Sequence, residues 1–403
     1  MAHAPETKEA GGDNRALVVL LSVIFLNMAG FGLVIPLLPF FGKSLQADAG
    51  QVALLFSAFS FGQFLGEPFW GRMSDRTGRR KVLMLTIAGG ALSYVALAFA
   101  PTIWLAFLAR FVGGFLSGNI STLQGSLADI TRPEERAAKM GLMGSAFSLG
   151  FMVGPALGGL LAHPELGRFG FQIPLFAAAA FGLMSALAVL VFVRESRPEP
   201  RSGPRPRQIE VLREVMAHPI IARVMIISFI TVAGFAGIEA TYGLWTEQRF
   251  GWGPRQIGFA FMAIGVLGAF CQGVMTGSLV RRFGETRVLT AGLAAMWVGM
   301  IFQFASPNWH VAMVGFAFVC FGQSICFPCL TALISQSTPP DRQGETLGLN
   351  MSNMALARIG GPIYAGQLFS LVDPGAAFVV TAVLIVPATW LALQIMRRTP
   401  RVA

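Results

Sequence analysis

Four charged side chains lie inside otherwise apolar stretches of the sequence, and these are the residues best placed to do chemistry. Two are carboxylates, Glu67 and Glu239, and two are guanidinium groups, Arg110 and Arg358. An apolar environment favours the protonated form of a carboxylate, so such a group can take up and release a proton near neutral pH. A buried arginine keeps its charge and requires an anion. The four residues therefore predict proton binding and ion pairing.

Glu239 is the most isolated carboxylate and is the candidate for proton coupling. A counter-charge for a ligand and a pair with a mobile cation are the alternatives. Glu67 shares one helical face with two aromatic residues and one amide, namely Phe56, Phe59 and Gln63. That face predicts a cavity for a lipophilic, partly cationic ligand, whereas the alternative is helix packing with Glu67 neutralised by a basic residue from a loop.

Asn27 is a lone amide in the middle of the first apolar segment. It is expected either to line a central cavity or to hydrogen-bond a neighbouring helix. Arg358 lies in an apolar segment of the second half and is assigned to the same cavity.

Arg110 begins a face that continues with Gly114 and Gly118 at intervals of four residues. Asp75 and Asp129 are the candidate anions for this guanidinium group. An ion-paired network among them would lock one side of the molecule shut, and the alternative is a static structural pair.

The most charged run of the chain is the stretch 71–83, which separates two long apolar segments. Its arginines predict a turn on the cytoplasmic side of a membrane, because short loops rich in Lys and Arg stay inside. Gly71 is expected to allow close helix approach and Gly78 to adopt a positive φ. The pattern returns 206 residues later, where Gly284 takes the place of Gly78, so the chain is an internal duplication.

The composition excludes an ordinary soluble domain, since 54% of the 403 residues are hydrophobic and only 12% are charged. A membrane-spanning helix requires about 20 apolar residues. Twelve segments of the sequence meet this requirement. They are 17–41, 52–71, 82–100, 103–124, 137–162, 171–193, 220–245, 257–280, 288–305, 311–335, 346–370 and 376–396.

The predicted fold is an all-α integral membrane protein with twelve transmembrane helices arranged as two six-helix bundles. The predicted divisions are a cytoplasmic tail (1–16), an N-terminal bundle (17–193), a linker (194–219), a C-terminal bundle (220–396) and a short tail (397–403). The net charge of +10 falls mainly on one set of loops and on the ends. This distribution indicates topology and attraction to anionic lipid rather than nucleic-acid binding.

The fifth segment carries glycines at intervals of four residues, Gly150, Gly154 and Gly158, with Pro155 among them. Such a groove permits contact between backbones, and the proline removes one helical hydrogen bond. Packing alone could select these residues, so the groove does not by itself distinguish export from import.

Several of these motifs resemble the major facilitator superfamily. The run Gly71-x-x-x-Asp75-Arg76-x-Gly78-Arg79-Arg80 is similar to its signature loop between helices two and three, and Gly154-Pro155 is similar to its antiporter motif in helix five. The resemblance extends over nearly the whole chain and is nearest to the tetracycline exporters. It implies that Asp75 and Arg76 stabilise a closed cytoplasmic gate, that Arg110 serves coupling, and that two bundles rock around a central site.

The sequence departs from the tetracycline exporters at three positions where they carry ionisable groups. Asn27 and Ser93 replace carboxylates, and Gly268 lies where a histidine is expected. Tetracycline is therefore not the expected substrate, and proton coupling is assigned to Glu239 or Glu67.

The predicted function is proton-coupled efflux of small lipophilic compounds by alternating access. The alternative is a proton-coupled or facilitative carrier of one metabolite or lipid. No metal cluster, pair of nucleophile and base, or phosphate loop indicates an enzyme. We expect no cofactor beyond the proton gradient, a monomer in the cytoplasmic membrane, and both termini inside.

Overall fold

The computed structural model describes residues 10–132, 135–195, 217–339 and 342–398, and within these ranges the chain forms helices and no strands. The predicted linker 194–219 and both predicted tails lie largely outside the described residues. The α-helices are α1 Ala10–Val34, α2 Leu38–Ser44, α3 Ala49–Thr77, α4 Arg79–Phe99, α5 Ile103–Leu116, α6 Ile120–Asp129, α7 Arg136–Leu161, α8 Arg168–Phe192, α9 Pro219–Phe250, α10 Pro254–Phe270, α11 Thr276–Phe283, α12 Glu285–Phe304, α13 Trp309–Gln336, α14 Gln343–Leu371 and α15 Ala376–Arg398.

Eleven helical segments in the described ranges are long and apolar enough to cross a membrane. Two of them combine consecutive helices, α5 with α6 and α10 with α11, the latter pair through the π-helical segment Cys271–Met275. The predicted first span is interrupted after Val34, because Pro36 cannot donate a helical hydrogen bond and disfavours helix at the residue before it.

Helix α14 has the length of a membrane span but is not among the eleven segments that also meet the hydropathy requirement. Two of its polar side chains, Asn350 and Asn353, lie among other helices. Asn353 donates to the Met225 carbonyl of α9 at 2.9 Å, and Asn350 is buried. Helix α14 also packs along α3 and therefore lies at the boundary between the two halves of the chain.

The two halves meet through two pairs of helices that the duplication relates to each other. Helix α14 packs on α3, and α7 packs on α10. Since the Gly50 amide at the start of α3 bonds to Ser370 at the end of α14, the halves run in parallel. The turns at Gly78 and Gly284 consequently lie on the same side, called the basic side below. The opposite side is called the far side.

Both turns use glycine because the backbone requires it. Gly78 has φ +102° and Gly284 has φ +81°, in the region that residues with a side chain rarely adopt. Gly78 also caps α3, since its amide bonds to the Ser74 carbonyl at 3.1 Å. The predicted conformation of Gly78 is confirmed, and its counterpart in the second half repeats it.

Small residues set the distances between the helices. In a bilayer, association depends on close packing because lipid is as apolar as a leucine side chain. Gly299 of α12 and Gly315 of α13 pack backbone against backbone, so that a Cβ on Gly299 would lie 2.6 Å from the Gly315 carbonyl oxygen. Such crossings leave little room for movement within one half.

Candidate functional site

The far side is closed by contacts between the halves. The Lys43 ammonium group lies 2.7 Å from a carboxylate oxygen of Glu247, and the Ser57 hydroxyl donates to the Ile359 carbonyl at 2.8 Å. A Cβ on Gly159 would lie 2.6 Å from the Pro254 carbonyl oxygen. These contacts leave no passage between α3 and α14 or between α7 and α10 at this end.

The basic side is open along the same two helix pairs, α3 with α14 and α7 with α10, which we call the seams. Gly141 and Gly348 are exposed, and a Cβ on either would meet nothing within 4 Å among the described atoms. Each lies 18 residues before a glycine that packs tightly on the other half, Gly159 on α7 and Gly366 on α14. Eighteen residues are five helical turns, so Gly141 and Gly348 lie on the packing faces of their helices. The seams therefore separate toward the basic side, and we call the space between α3, α9 and α14 the central cleft.

Arg358 of α14 lies in the central cleft, with Glu67 of α3 and Glu239 of α9 as its charged neighbours. Its charge acts on both carboxylates. None of the ion pairs found among the described residues joins it directly to either one. The Arg358 side chain is exposed, and the two glutamates are half-buried. One cation thus has two carboxylate neighbours, one from each half.

This arrangement brings together three residues that the sequence analysis assigned separately. Glu67 lies in the N-terminal half, whereas Arg358 and Glu239 lie in the C-terminal half. Gln63 precedes Glu67 by one helical turn and is also half-buried. The structure therefore supports a single charged site between the halves.

Arg110 lies elsewhere and has different partners. It is 3% exposed, and its guanidinium carbon is 4.3 Å from the centroid of the Phe59 ring. Its Nε approaches the Leu55 carbonyl at 3.4 Å, and Tyr94 is its neighbour on α4. The expectation that Arg110 pairs with Asp75 or Asp129 is wrong in this conformation, because both aspartates lie near the basic side and contact another arginine.

Phe56 and Phe59 are 8% and 6% exposed, so they do not line the central cleft as predicted. Phe59 lies between Arg110 and Phe31, whose ring centroid is 5.0 Å from its own. The helical spacing correctly placed these residues on one face with Gln63 and Glu67. Phe59 is thus covered by its own half, whereas Gln63 and Glu67 further along the same face are half-buried.

Asn27 lines a small cavity inside the N-terminal half, with room for about one water molecule. The cavity is bounded by α1, α4, the α5–α6 connection and α8. Asn119 donates to the Thr86 hydroxyl at 2.8 Å in its wall. Asn27 therefore faces a cavity within one half, and among the described residues no hydrogen bond joins its side chain to a neighbouring helix.

The signature turn is held by an arginine between two aspartates. Arg79 Nε lies 2.5 Å from Asp129 at the end of α6, and Arg79 Nη1 lies 3.7 Å from Asp75 one turn earlier on α3. Arg80 donates a backbone hydrogen bond to Glu195 and a side-chain hydrogen bond to the Leu190 carbonyl. This network joins α3, α4, α6 and the end of α8 within the N-terminal half.

The remaining residues of the turn differ in their surroundings. Gly71 faces α6, where a Cβ would lie 3.2 Å from the Ser121 hydroxyl. Arg76 is exposed, and it shares a surface groove of α3 with Arg72. Among the described residues, none bonds to the Arg76 side chain.

The glycine groove of α7 packs against α1, as predicted from its spacing. A Cβ on Gly150, Gly154 or Gly158 would meet the backbone of α1 at 2.5 Å or closer. Pro155 is buried, with its ring against α1, where a Cβ on Gly32 would lie 3.0 Å from it, and with its carbonyl oxygen near Gly258 of α10. Helix α7 therefore contacts its own half through the glycine groove and the Pro155 ring, and the other half through Gly159 and the Pro155 carbonyl.

Sequence reasoning missed the hydroxyl groups that join the halves at the far side. Ser57 and Ser370 each bond to backbone of the opposite half. Serine in a helix commonly bonds a carbonyl of its own preceding turn, so its presence in the sequence gives no signal of a contact between halves.

Comparison with known proteins agrees with this architecture. Residues 20–274 and 224–403 match the family model described as Major Facilitator Superfamily. Tetracycline resistance protein, class C, of Escherichia coli is 30% identical over 367 residues, which cover 89% of this chain and 90% of that protein. Multidrug resistance protein 2 of Bacillus subtilis is 29% identical over 373 residues, which cover 90% of this chain and 91% of that protein.

Among solved structures, a bacterial homologue of the human lysosomal transporter Spinster, in an inward-facing and unoccupied conformation, resembles the chain with a TM-score of 0.81. The two sequences are 15% identical, and the likeness covers 98% of this chain and 100% of that one, so it shows the fold alone. The chain belongs to the Major Facilitator Superfamily and is a membrane transporter related to tetracycline and multidrug efflux proteins.

Proposed function

We propose that this protein exports small lipophilic compounds in exchange for protons, and that Arg358 couples the two movements by changing partners between Glu239 and Glu67. The observation that supports this proposal is that the exposed cation Arg358 has a carboxylate neighbour in each half. A proton that neutralises Glu239 weakens its attraction for Arg358, while the attraction to Glu67 remains. Protonation thereby changes the force between the halves.

The basic side is the cytoplasmic side in this proposal, because short loops rich in arginine remain inside. Both termini would then be cytoplasmic, and the chain would function as a monomer in the cytoplasmic membrane. The structure would correspond to the inward-facing state, which admits substrate from the cytoplasm. No cofactor is required, since the proton gradient supplies the free energy.

Alternating access would follow from the two related seams. Closing the basic side requires the faces that carry Gly141 and Gly348 to approach the other half, as Gly159 and Gly366 already do at the far side. The Arg79 network lies within the N-terminal half and would keep the ends of its helices together during this movement. Asp75 and Arg76, which are exposed here, remain our candidates for contacts in the closed cytoplasmic gate.

The substrate class rests on the mixed character of the central cleft and on the relatives. Gln63 and the three charged groups provide polar contacts between helices that are otherwise apolar. Names of relatives include tetracycline, quinolone and multidrug resistance proteins. We propose several unrelated compounds of these classes as substrates, with tetracycline disfavoured by the departures at Asn27, Ser93 and Gly268.

Substrate-induced pH change in proteoliposomes tests coupling and specificity together. The compound panel comprises tetracycline, a quinolone, ethidium and a set of single metabolites. We expect a quinolone or ethidium to drive proton movement and Glu239→Gln to abolish it, while binding of the compound remains measurable. Proton movement that persists in Glu239→Gln would reject the coupling assignment, and response to a single metabolite class would support the alternative carrier.

A further inference from the structure

A groove with a volume of about 470 Å³ lies on the surface of α3 near the basic side. It is lined by Phe69, Arg72, Met73, Arg76 and Thr77. Phe69 is 44% exposed, Met73 is half-buried, and the other three residues are exposed. The groove, called the α3 groove below, therefore combines two cationic side chains with two apolar ones.

The α3 groove faces away from the central cleft. Arg76 follows Glu67 by nine residues, about two and a half helical turns, so the two side chains leave α3 on opposite sides. Next to the groove, the Phe69 ring centroid lies 5.4 Å from that of Phe115 on α5. The exposed residues of the groove therefore lie on the outer, lipid-facing surface of the N-terminal half.

The length of α3 places this groove at the level of lipid headgroups. Its 29 residues span about 44 Å, which matches the thickness of a bilayer with its headgroup layers. The helix begins at the far side and ends at Thr77, so Arg72 and Arg76 lie within about 8 Å of its end on the basic side. Lipid phosphates occupy this layer, and acyl chains begin deeper, at the level of Phe69.

The two arginines are without an ion-pair partner among the described residues. Asp75, the nearest acid on the same helix, pairs with Arg79 instead. Arg72 Nε donates to the Pro68 carbonyl at 2.9 Å, so the guanidinium group folds back toward the membrane interior. A cation held at this depth needs an anion, and a guanidinium group can bind phosphate through two parallel hydrogen bonds.

The second half shows that the turn does not require such a pair of cations. At the equivalent positions, 206 residues later, Ser278 corresponds to Arg72 and Arg282 corresponds to Arg76. The Arg282 guanidinium carbon lies 5.3 Å from the centroid of the Phe283 ring, so this cation already has an aromatic partner. The duplication therefore supplies a comparison site with one arginine of the two.

We propose that the α3 groove binds an anionic phospholipid, with the phosphate between Arg72 and Arg76 and the acyl chains along Phe69 and Met73. Two cations favour a headgroup with a net negative charge, whereas they would repel the choline of a zwitterionic lipid. The linker residues 196–216 carry five arginines and three glutamates, so their net positive charge disfavours them as occupants. The groove is separate from the central cleft, and this inference does not depend on what the cleft transports.

Binding of fluorescent phosphatidylglycerol to the full chain in a neutral detergent tests the site. Unlabelled phosphatidylglycerol should displace the probe, and phosphatidylcholine should not. A basic residue near the membrane surface contributes about fivefold to such binding. We therefore expect Arg72→Gln to weaken binding about fivefold and the double variant Arg72→Gln/Arg76→Gln about 25-fold. The midpoint of thermal unfolding without added lipid should stay at the wild-type value, because both side chains are exposed.

Arg282→Gln is the matched control from the second half and should bind the probe as the wild-type protein does. An equal loss in Arg282→Gln and Arg72→Gln would show that the lipid responds to the general charge of the basic side, which would overturn the inference. Wild-type binding in the double variant, or equal displacement by phosphatidylcholine, would overturn it as well. Because Arg76 is also a gate candidate, the measurement uses binding in detergent, which does not require transport. Failure of the lipid site would thus leave the proposed function untouched.

Discussion

The two arginines inside the membrane region have contrasting surroundings. Arg110 is enclosed by the N-terminal half, lies over the ring of Phe59 and has no carboxylate neighbour among the described residues. Arg358 is exposed in the central cleft and has two carboxylate neighbours, Glu67 and Glu239. The same side chain is therefore fixed by packing in one half and free to respond to protonation in the other.

This difference shows which feature identifies a residue that could couple proton binding to movement of the halves. A charged group changes the conformational equilibrium only if its free energy differs between the two states. Arg110 is surrounded by its own half, which moves as a unit, so rocking leaves its contacts unchanged. Arg358 has one partner in its own half and one in the opposite half, so its interactions must change when the halves move.

Replacing Arg358 by Gln should give the largest effect. Loss of the cation removes the link between Glu239 and Glu67, and we expect proton-coupled efflux to fall by about 100-fold. The initial rate of substrate-induced pH change in proteoliposomes measures this loss. Arg358→Lys should retain part of the activity, since the exposed site accepts another cation. Wild-type efflux in Arg358→Gln would show that the comparison between the two arginines is mistaken.

A bulky side chain at Gly348 tests whether Arg358 and Glu67 approach each other through rocking. Gly348→Trp should obstruct closure of the basic side and lower the population of the opposite state at least about tenfold. Labelling of Ser57→Cys by a membrane-impermeant thiol reagent measures opening of the far side, because Ser57 is 4% exposed and bonds across the closed seam, and the native cysteines are buried. Leu371→Trp is the control, because Leu371 is 78% exposed on the same helix. Unchanged labelling in Gly348→Trp would contradict this view of the seam.

Much of the fold was predictable, because hydropathy, duplicated turns and glycine spacing are local properties of the sequence. The residues of the site were predictable, but which of them lie opposite each other was not. Spacing placed Glu67 on one helical face, but it does not say what lies opposite, and Arg358 is 291 positions further along the chain.

The same reason explains the errors at Arg110, Phe56 and Phe59. Sequence spacing shows which residues share a helical face, but which neighbouring helices pack on that face depends on the tertiary structure. The nearest anions in sequence terms, Asp75 and Asp129, were assigned to Arg110 although Arg79 lies between them in the structure. Helix α14 was identified as a span despite its polar residues, of which Asn353 bonds within its own half and Arg358 has a carboxylate neighbour in the other half.

Arg110→Lys tests whether Arg110 contributes to stability and not to coupling. Lysine keeps the charge but loses the planar contact with Phe59, and a desolvated cation–π contact contributes about 1–2 kcal/mol. We expect a lower midpoint of thermal unfolding in detergent, with substrate-driven proton movement per folded molecule retained. Arg358→Lys, measured in parallel, should keep the midpoint of thermal unfolding and lose only part of the proton movement. A coupling defect in Arg110→Lys without loss of stability would restore Arg110 as a coupling residue.

Glu67→Gln should have the smallest effect and examines the second partner of Arg358. The variant keeps the pairing of Arg358 with Glu239 and removes only the attraction that crosses between the halves. Glu67 is half-buried and separated from the guanidinium group by more than an ion-pair distance, so solvent weakens this attraction. We expect proton-coupled efflux to fall about fivefold, with substrate exchange preserved. A loss as complete as that of Glu239→Gln would make Glu67 the proton carrier, and no loss at all would mean that Arg358 has only one functional partner.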